Sequence, residues 1–239
     1  MAYSLFGVFD LHLPVIYGES NENALGRLLA EIISRSGDIS VLDWVGEASP
    51  FHSCFPAHIA TYRSLPCSSS HTTDQISSST SEIHSSKALD ELVHSLSTFN
   101  PPQFIGRQLR LPCITHRVTA IQLKESRTQS PHHVYEIRAK GLSSSELVLP
   151  NQTRNNLCNT GRYVLIRPWH SKLLDPSTEV DPTASEQLVR MLGKPFHALL
   201  LEELPRNEYQ RIASSSIIIA RPTDVASILC SKVQTLTIV

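Results

Sequence analysis

The residues able to do chemistry in this 239-residue chain are scattered rather than grouped. Five cysteines (Cys54, Cys67, Cys113, Cys158, Cys230) and eleven histidines raise the question of metal. A structural zinc site wants cysteines two to four residues apart, paired with a second such couple. No such couple exists. His52, Cys54 and His58 come nearest, but Phe51 and Phe55 among them point to packing, and His132-His133 are adjacent residues that converge poorly on one ion. Nucleophilic catalysis needs a Ser or Cys held against a base and an orienting group. The Gly-x-Ser-x-Gly elbow is absent, and pairing Cys54, Cys113 or Cys158 with some histidine is arbitrary. The default for these thiols is a small buried hydrophobe. Glycine-rich phosphate loops are missing as well. Glu202-Glu203 lie next to each other on a predicted strand, so they face opposite sides and cannot act as a couple. These residues imply no cofactor, no metal and no catalytic group, hence a non-enzyme.

One local constellation stands out. In VLIRPWH (residues 164–170), Arg167, Trp169 and His170 end an apolar strand around Pro168. The arginine could stack on Trp169 or bind a carboxylate. The plainer reading is a strand end with a capped aromatic. A β-rich ligand-binding module with these three at a pocket mouth is one alternative, and an unrecognised Cys/Ser–His hydrolase is another.

The elements that must position these residues follow from patterning. AYSLFGVF (residues 2–9) suits a short buried helix, which Pro14 forbids from continuing. In residues 20–37, Ala24, Leu25, Leu28, Leu29, Ile32 and Ile33 form one wide apolar face. Ser20 or Asn21 caps its start, Glu19 and Glu22 favour the positive end of its dipole, and Arg35 and Gly37 mark its stop. On this reading Gly18 permits a bend, Glu19 serves the helix start and Tyr17 packs. DISVLDWV (residues 38–45) alternates and is predicted to be a strand.

Nine of the nineteen residues from 68 to 86 are serine. That stretch cannot bury enough surface to offset its ordering entropy, so a linker is expected, followed by a weak helix over residues 89–96. From residue 101 short extended runs separated by turn signals predict a sandwich or open barrel. One helix, residues 184–192, stops at Gly193 and Pro195. In LPRNEYQRIAS (residues 204–214), Arg206, Glu208 and Arg211 read as surface charges. The expected fold is therefore α+β: a helical segment at 1–66, a Ser-rich linker at 67–100 and a strand-rich domain with one short helix at 101–239.

Charged residues are 18% and the net charge is −1. No basic field calls for nucleic acid or an anionic membrane. Dispersed, odd-numbered cysteines, a start without signal-peptide features and the lack of any long apolar run predict a cytoplasmic chain.

Five features occur in order within residues 2–46: Ala2-Tyr3-x-Leu5-x-Gly7-Val8-Phe9, then Pro14, then Tyr17-Gly18-Glu19, then the amphipathic helix, then Asp38-x-Ser40 ending at Trp44. This order resembles the segment that follows the heterokaryon-incompatibility (HET) domain in fungal proteins. SCFPAHIATY, VLIRPWHSKLL, HALLLEELPRNEYQRIAS and SKVQTLTIV look like the C-terminal region of mushroom-type members. The resemblance implies an accessory or regulatory module for self/non-self recognition, acting through protein contacts. Its expected partners are other proteins, or the HET effector domain that should lie upstream of Ala2. It supplies no catalytic residue here. Tyr3, Gly7, Phe9, Pro14, Tyr17, Gly18, Glu19, Asp38 and Trp44 are expected to be structural, with apolar surface left on the first segment for docking.

Overall fold

The structure is a computed structural model, described here for residues 2–63, 86–124, 131–150, 157, 162–170, 184–229 and 231–239. Helix α1 (Ala2–Val8) places Phe6 in the core, and Leu11 N–H folds back onto the Phe6 carbonyl. Helix α2 (Asn21–Ser36) starts and stops as its sequence requires. Ser20 Oγ accepts the Asn23 N–H at 3.2 Å, and Gly37 takes the left-handed conformation (φ +66°) that closes the last turn on Ile33. Its apolar face, Leu25, Leu28, Leu29 and Ile33, is buried, each side chain contributing roughly 1.5–3 kcal/mol.

Residues 38–45 do not form the expected strand. Asp38 accepts the Ser40 N–H at 2.9 Å and caps a 3₁₀ turn over Ile39–Leu42. A short acidic side chain bonding the backbone two residues on competes with extended pairing. Val41, Leu42 and Trp44 are buried from that turn instead. A two-stranded ribbon follows, β1 (Ala48–Ser49) with β2 (His52–Pro56).

Most of the Ser-rich stretch lies outside the described residues. From Ser86 the chain is helical, α3 (Ser86–Ser97), wider than the weak helix expected there. The remaining elements are β3 (Gln103–Ile105), β4 (Gln108–Leu123), β5 (His132–Ala139), β6 (Ser145–Pro150), β7 (Tyr163–Pro168), α4 (Ala184–Leu192), β8 (Phe196–Glu203), β9 (Glu208–Arg211), β10 (Ile218–Ala220), α5 (Val225–Leu229) and β11 (Lys232–Ile238). The α+β class with a strand-rich second part is as expected, α5 being a one-turn addition.

The strands from β3 onward make one nine-stranded sheet, and its pairings close a ring. The long β4 pairs antiparallel with β11 from Leu109↔Ile238 to Thr115↔Lys232, and on its other edge with β7. β7 pairs β8, β8 pairs β9, and β9 returns to β11 in parallel through Thr237↔Glu208 and Ile238↔Tyr209. Beyond a register shift between Val118 and Ala120, β4 carries β5 and then β6.

Alternation along these strands feeds separate cores. Leu199 and Leu201 of β8 and Ile166 of β7 join Leu109, Leu111, Leu236 and Ile238 under α2. Leu200 and Leu165 face the other way, toward Ile137, Leu147, Leu149 and Ile218. A third core gathers α3 and α4 around Trp169 and Ile114. The first core is thus built jointly by the helical first segment and the barrel strands.

Candidate functional site

The site begins with how the turn after α1 is held. Arg27, one and a half turns into α2, reaches back with both arms of its guanidinium. Nη1 donates to Glu19 Oε2 at 3.0 Å, and Nη2 donates to the Pro14 carbonyl at 2.6 Å. The Glu19 side chain is only 6% exposed in this pair, so water competes little for the contact. Gly18, at φ +81°, supplies the left-handed bend between the two anchors. Both ends of the loop are therefore fixed to one arginine.

What this clamp displays is apolar. Val8, Phe9, Val15, Ile16 and Tyr17 are exposed by 75, 50, 55, 48 and 96%. Five of the nine exposed large hydrophobics among the described residues thus fall within ten residues of chain. Tyr17 was expected to pack, and the structure reverses this: the clamp on either side turns its ring outward. An aromatic side chain held in water by a rigid turn is the composition of an interface anchor. Apolar surface on the first segment was expected, and this is where it lies.

The other motif residues differ in what surrounds them. Tyr3 lies in α1, its side chain outside the described residues, and Gly7 meets open space on the same helix. Trp44 is 2% exposed and donates its Nε1–H to the Cys54 carbonyl at 2.7 Å. Over its ring, 3.9 Å from the centroid, lies the guanidinium of Arg211. Arg211 was read as a surface charge, but it is buried. Its Nη1 and Nη2 donate to the carbonyls of Leu42 (2.8 Å) and Trp44 (3.0 Å). Burial pushes its pKa down to about 10, so it stays charged at neutral pH. This arginine pins the 3₁₀ turn to β9, and sequence gave no sign of it: an isolated Arg in a polar run looks solvated.

Trp169 sits in the core shared by α3 and α4, and Arg167 at the C-terminal end of α4. Trp169 is fully buried and donates Nε1–H to the Leu96 carbonyl at 3.2 Å. Arg167 stacks on Phe196, not Trp169, at 4.7 Å from the ring centroid, and donates to the carbonyls of Met191 and Leu192, both at 2.9 Å. It thereby satisfies the open C-terminal end of α4. It also borders a shallow cleft of about 250 Å³ with Pro195 and His197. His170 is buried beside Gly37.

Two of the thiols and one imidazole near them are enclosed as well, while Cys67, Cys158 and Cys230 lie outside the described residues. Cys54 and Cys113 are free and buried; burial pushes the Cys54 thiol up to about 12 and the Cys113 thiol higher still. His52 accepts the Cys54 N–H on Nδ1 at 3.1 Å and its Nε2 lies 3.0 Å from the Ile238 carbonyl. Among the described residues no group of three or more His, Cys, Asp or Glu could hold a metal ion, and no helix is long and apolar enough to cross a membrane.

Fold and surface together define an α+β chain with a ring-closed sheet, whose first segment displays a clamped apolar loop. Comparison with curated proteins finds 56% identity over 46 residues with the vegetative incompatibility protein HET-E-1 of Podospora anserina. That stretch is 18% of this chain and 3% of HET-E-1. Over it, the chain is similar to a fungal heterokaryon-incompatibility protein. No family model and no solved structure matches the chain.

Proposed function

We propose that this chain is a non-enzymatic accessory module of the heterokaryon-incompatibility type, taking part in self/non-self recognition signalling through protein contacts. The observation that carries this reading is the outward Tyr17 with Val15, Ile16, Val8 and Phe9, held by the Arg27 clamp. Apolar surface of this kind gains by being covered, and a pre-set loop loses little entropy when a partner covers it. The partner is a HET-type effector domain, on the same polypeptide or another. The raised thiol pKa values of Cys54 and Cys113 and the burial of His52 and His116 agree with a role in which these four groups serve as neither nucleophile nor base.

Titration calorimetry of the chain against a separately produced HET-type effector domain tests this. Saturable binding is expected, with Tyr17→Ser weakening it at least tenfold while the far-UV circular dichroism is unchanged. Absence of binding, or equal binding by the variant, would remove the reading.

A further inference from the structure

We propose that the cleft bordered by β4, β7, β9 and β11 is a binding site for a small organic anion, a phosphate- or carboxylate-bearing molecule with an apolar body. The cleft measures about 1310 Å³, and its wall includes Thr115, Arg117, Val164, Tyr209, Lys232 and Gln234. It is larger than most small-molecule pockets. Four cationic side chains line it, Arg117, Lys140, Arg162 and Lys232, against two carboxylates among the described lining residues, Glu203 and Asp224. Both carboxylates are engaged. Glu203 lies 3.8 Å from Arg162, and Asp224 accepts the Ser227 N–H at 2.6 Å. Arg117, Lys140 and Lys232 have no carboxylate partner among the described residues.

The backbone brings these three cations together. Lys232 of β11 sits directly opposite Thr115 of β4, and Thr115 Oγ1 donates to the Lys232 carbonyl at 2.9 Å. Arg117 is two residues further along β4, hence on the same face and diagonal to Lys232, within reach for long side chains. The Lys140 N–H donates to the Arg117 carbonyl at 2.9 Å, placing the third cation at the same crossing. Immediately beyond, the register shift between Val118 and Ala120 re-aims β4; such bulges concentrate at barrel rims and beside binding sites. Packing explains none of this, since all three side chains are exposed and repel one another in a chain of net charge −1.

A bare phosphate would need only the cations. The cleft adds Val164, Ile121 and Leu157, half-buried and able to cover an apolar body. Tyr209, whose hydroxyl is held protonated by desolvation and then by Glu203 and Cys113, can donate to the anion. This proposal stands apart from the loop reading, because no residue is shared between the two.

The test is fluorescence titration of the full chain with 8-anilinonaphthalene-1-sulfonate, with inorganic pyrophosphate as competitor. Saturable binding displaced by pyrophosphate is expected, the sulfonate being the tighter ligand. Arg117→Ala with Lys232→Ala should weaken it at least tenfold; the charge-keeping pair Arg117→Lys with Lys232→Arg should stay within threefold. Phe9→Ser with Tyr17→Ser should leave it unchanged, separating the cleft from the apolar loop. Should circular dichroism show the alanine pair misfolded, Lys140→Ala replaces it, with a loss of at least threefold expected. No binding, binding insensitive to pyrophosphate, or equal binding by the alanine variants would overturn the site; pyrophosphate binding as tightly as the sulfonate would overturn the apolar half of the assignment.

Discussion

Lowering the pH should weaken the joint between the first segment and the barrel, and His52 is where the effect is largest. The imidazole is buried between Phe55 and Phe104, and its two nitrogens are assigned by their neighbours. The Cys54 N–H donates to Nδ1, so the proton sits on Nε2, which donates to the carbonyl of Ile238 on β11. Protonating Nδ1 would break the first bond and bury a charge. Desolvation, opposed by the Ile238 carbonyl and aided by nearby Arg107, lowers the pKa from 6.5 to about 4. The folded pKa lies below the unfolded one, so between those values the unfolded chain binds more protons. Stability is therefore fully present above about pH 6.5 and is lost as pH falls toward 4. One proton gives a slope of about 1.4 kcal/mol per pH unit, and the loss by pH 4 is about 3 kcal/mol. His116, also lowered by desolvation, adds in the same direction. Urea unfolding of the wild type and of His52→Gln, from pH 7.5 to 4, measures this. Gln keeps a donor for Ile238 but does not titrate, so its curve should be flatter by about one proton. Superimposable pH profiles for the two proteins would refute both the placement of His52 and the joint it forms.

Two glycines with left-handed backbones should respond differently to the same change. A Cβ on Gly18 meets nothing within 4 Å, so Gly18→Ala should cost only backbone strain, about 1–2 kcal/mol. A Cβ on Gly37 would lie 2.5 Å from buried His170 Nε2, so Gly37→Ala should cost clearly more in the same denaturant assay; equal costs would contradict the packing of His170 on that turn. Arg211→Met should destabilise by about 2–4 kcal/mol, because the buried carbonyls of Leu42 and Trp44 lose their donors and the Trp44 ring its cation, partly offset by removing a desolvated charge. Arg211→Lys should not restore stability, since one ammonium lacks the planar fork that serves two carbonyls; a neutral result for both would deny the latch.

Where the sequence could be read and where it failed divide along the range of the interactions involved. Helices α2 and α4 were legible from spacing, a cap and a stop residue, all within a few positions of each other. The same local logic missed residues 38–45, because apolar alternation there was weighed above Asp38, whose side chain caps a turn. Arg211 was misplaced for a different reason. Its environment comes from residues far along the chain, Leu42 and Trp44. Ring closure was hidden similarly, since β11 meets β4 and β9 across separations that no short pattern encodes. The cations of the cleft were visible only as scattered Arg and Lys; strand register, not sequence spacing, assembles them.

The motif within residues 2–46 divides by what its residues touch. Asp38 and Trp44 shape a turn that Arg211 fastens to β9, and Glu19, with the Pro14 carbonyl, engages Arg27. These contacts account for their residue types without invoking any partner. Tyr17 is different. It sits between Gly18 and the clamp with 96% of its surface in water, and no contact within the described fold requires an aromatic ring there. A position whose neighbours are fixed by structure while its own side chain is left outside is where selection by something external would act. The same sequence feature that marks a folded corner therefore also presents Tyr17, whose ring is left in water by that corner.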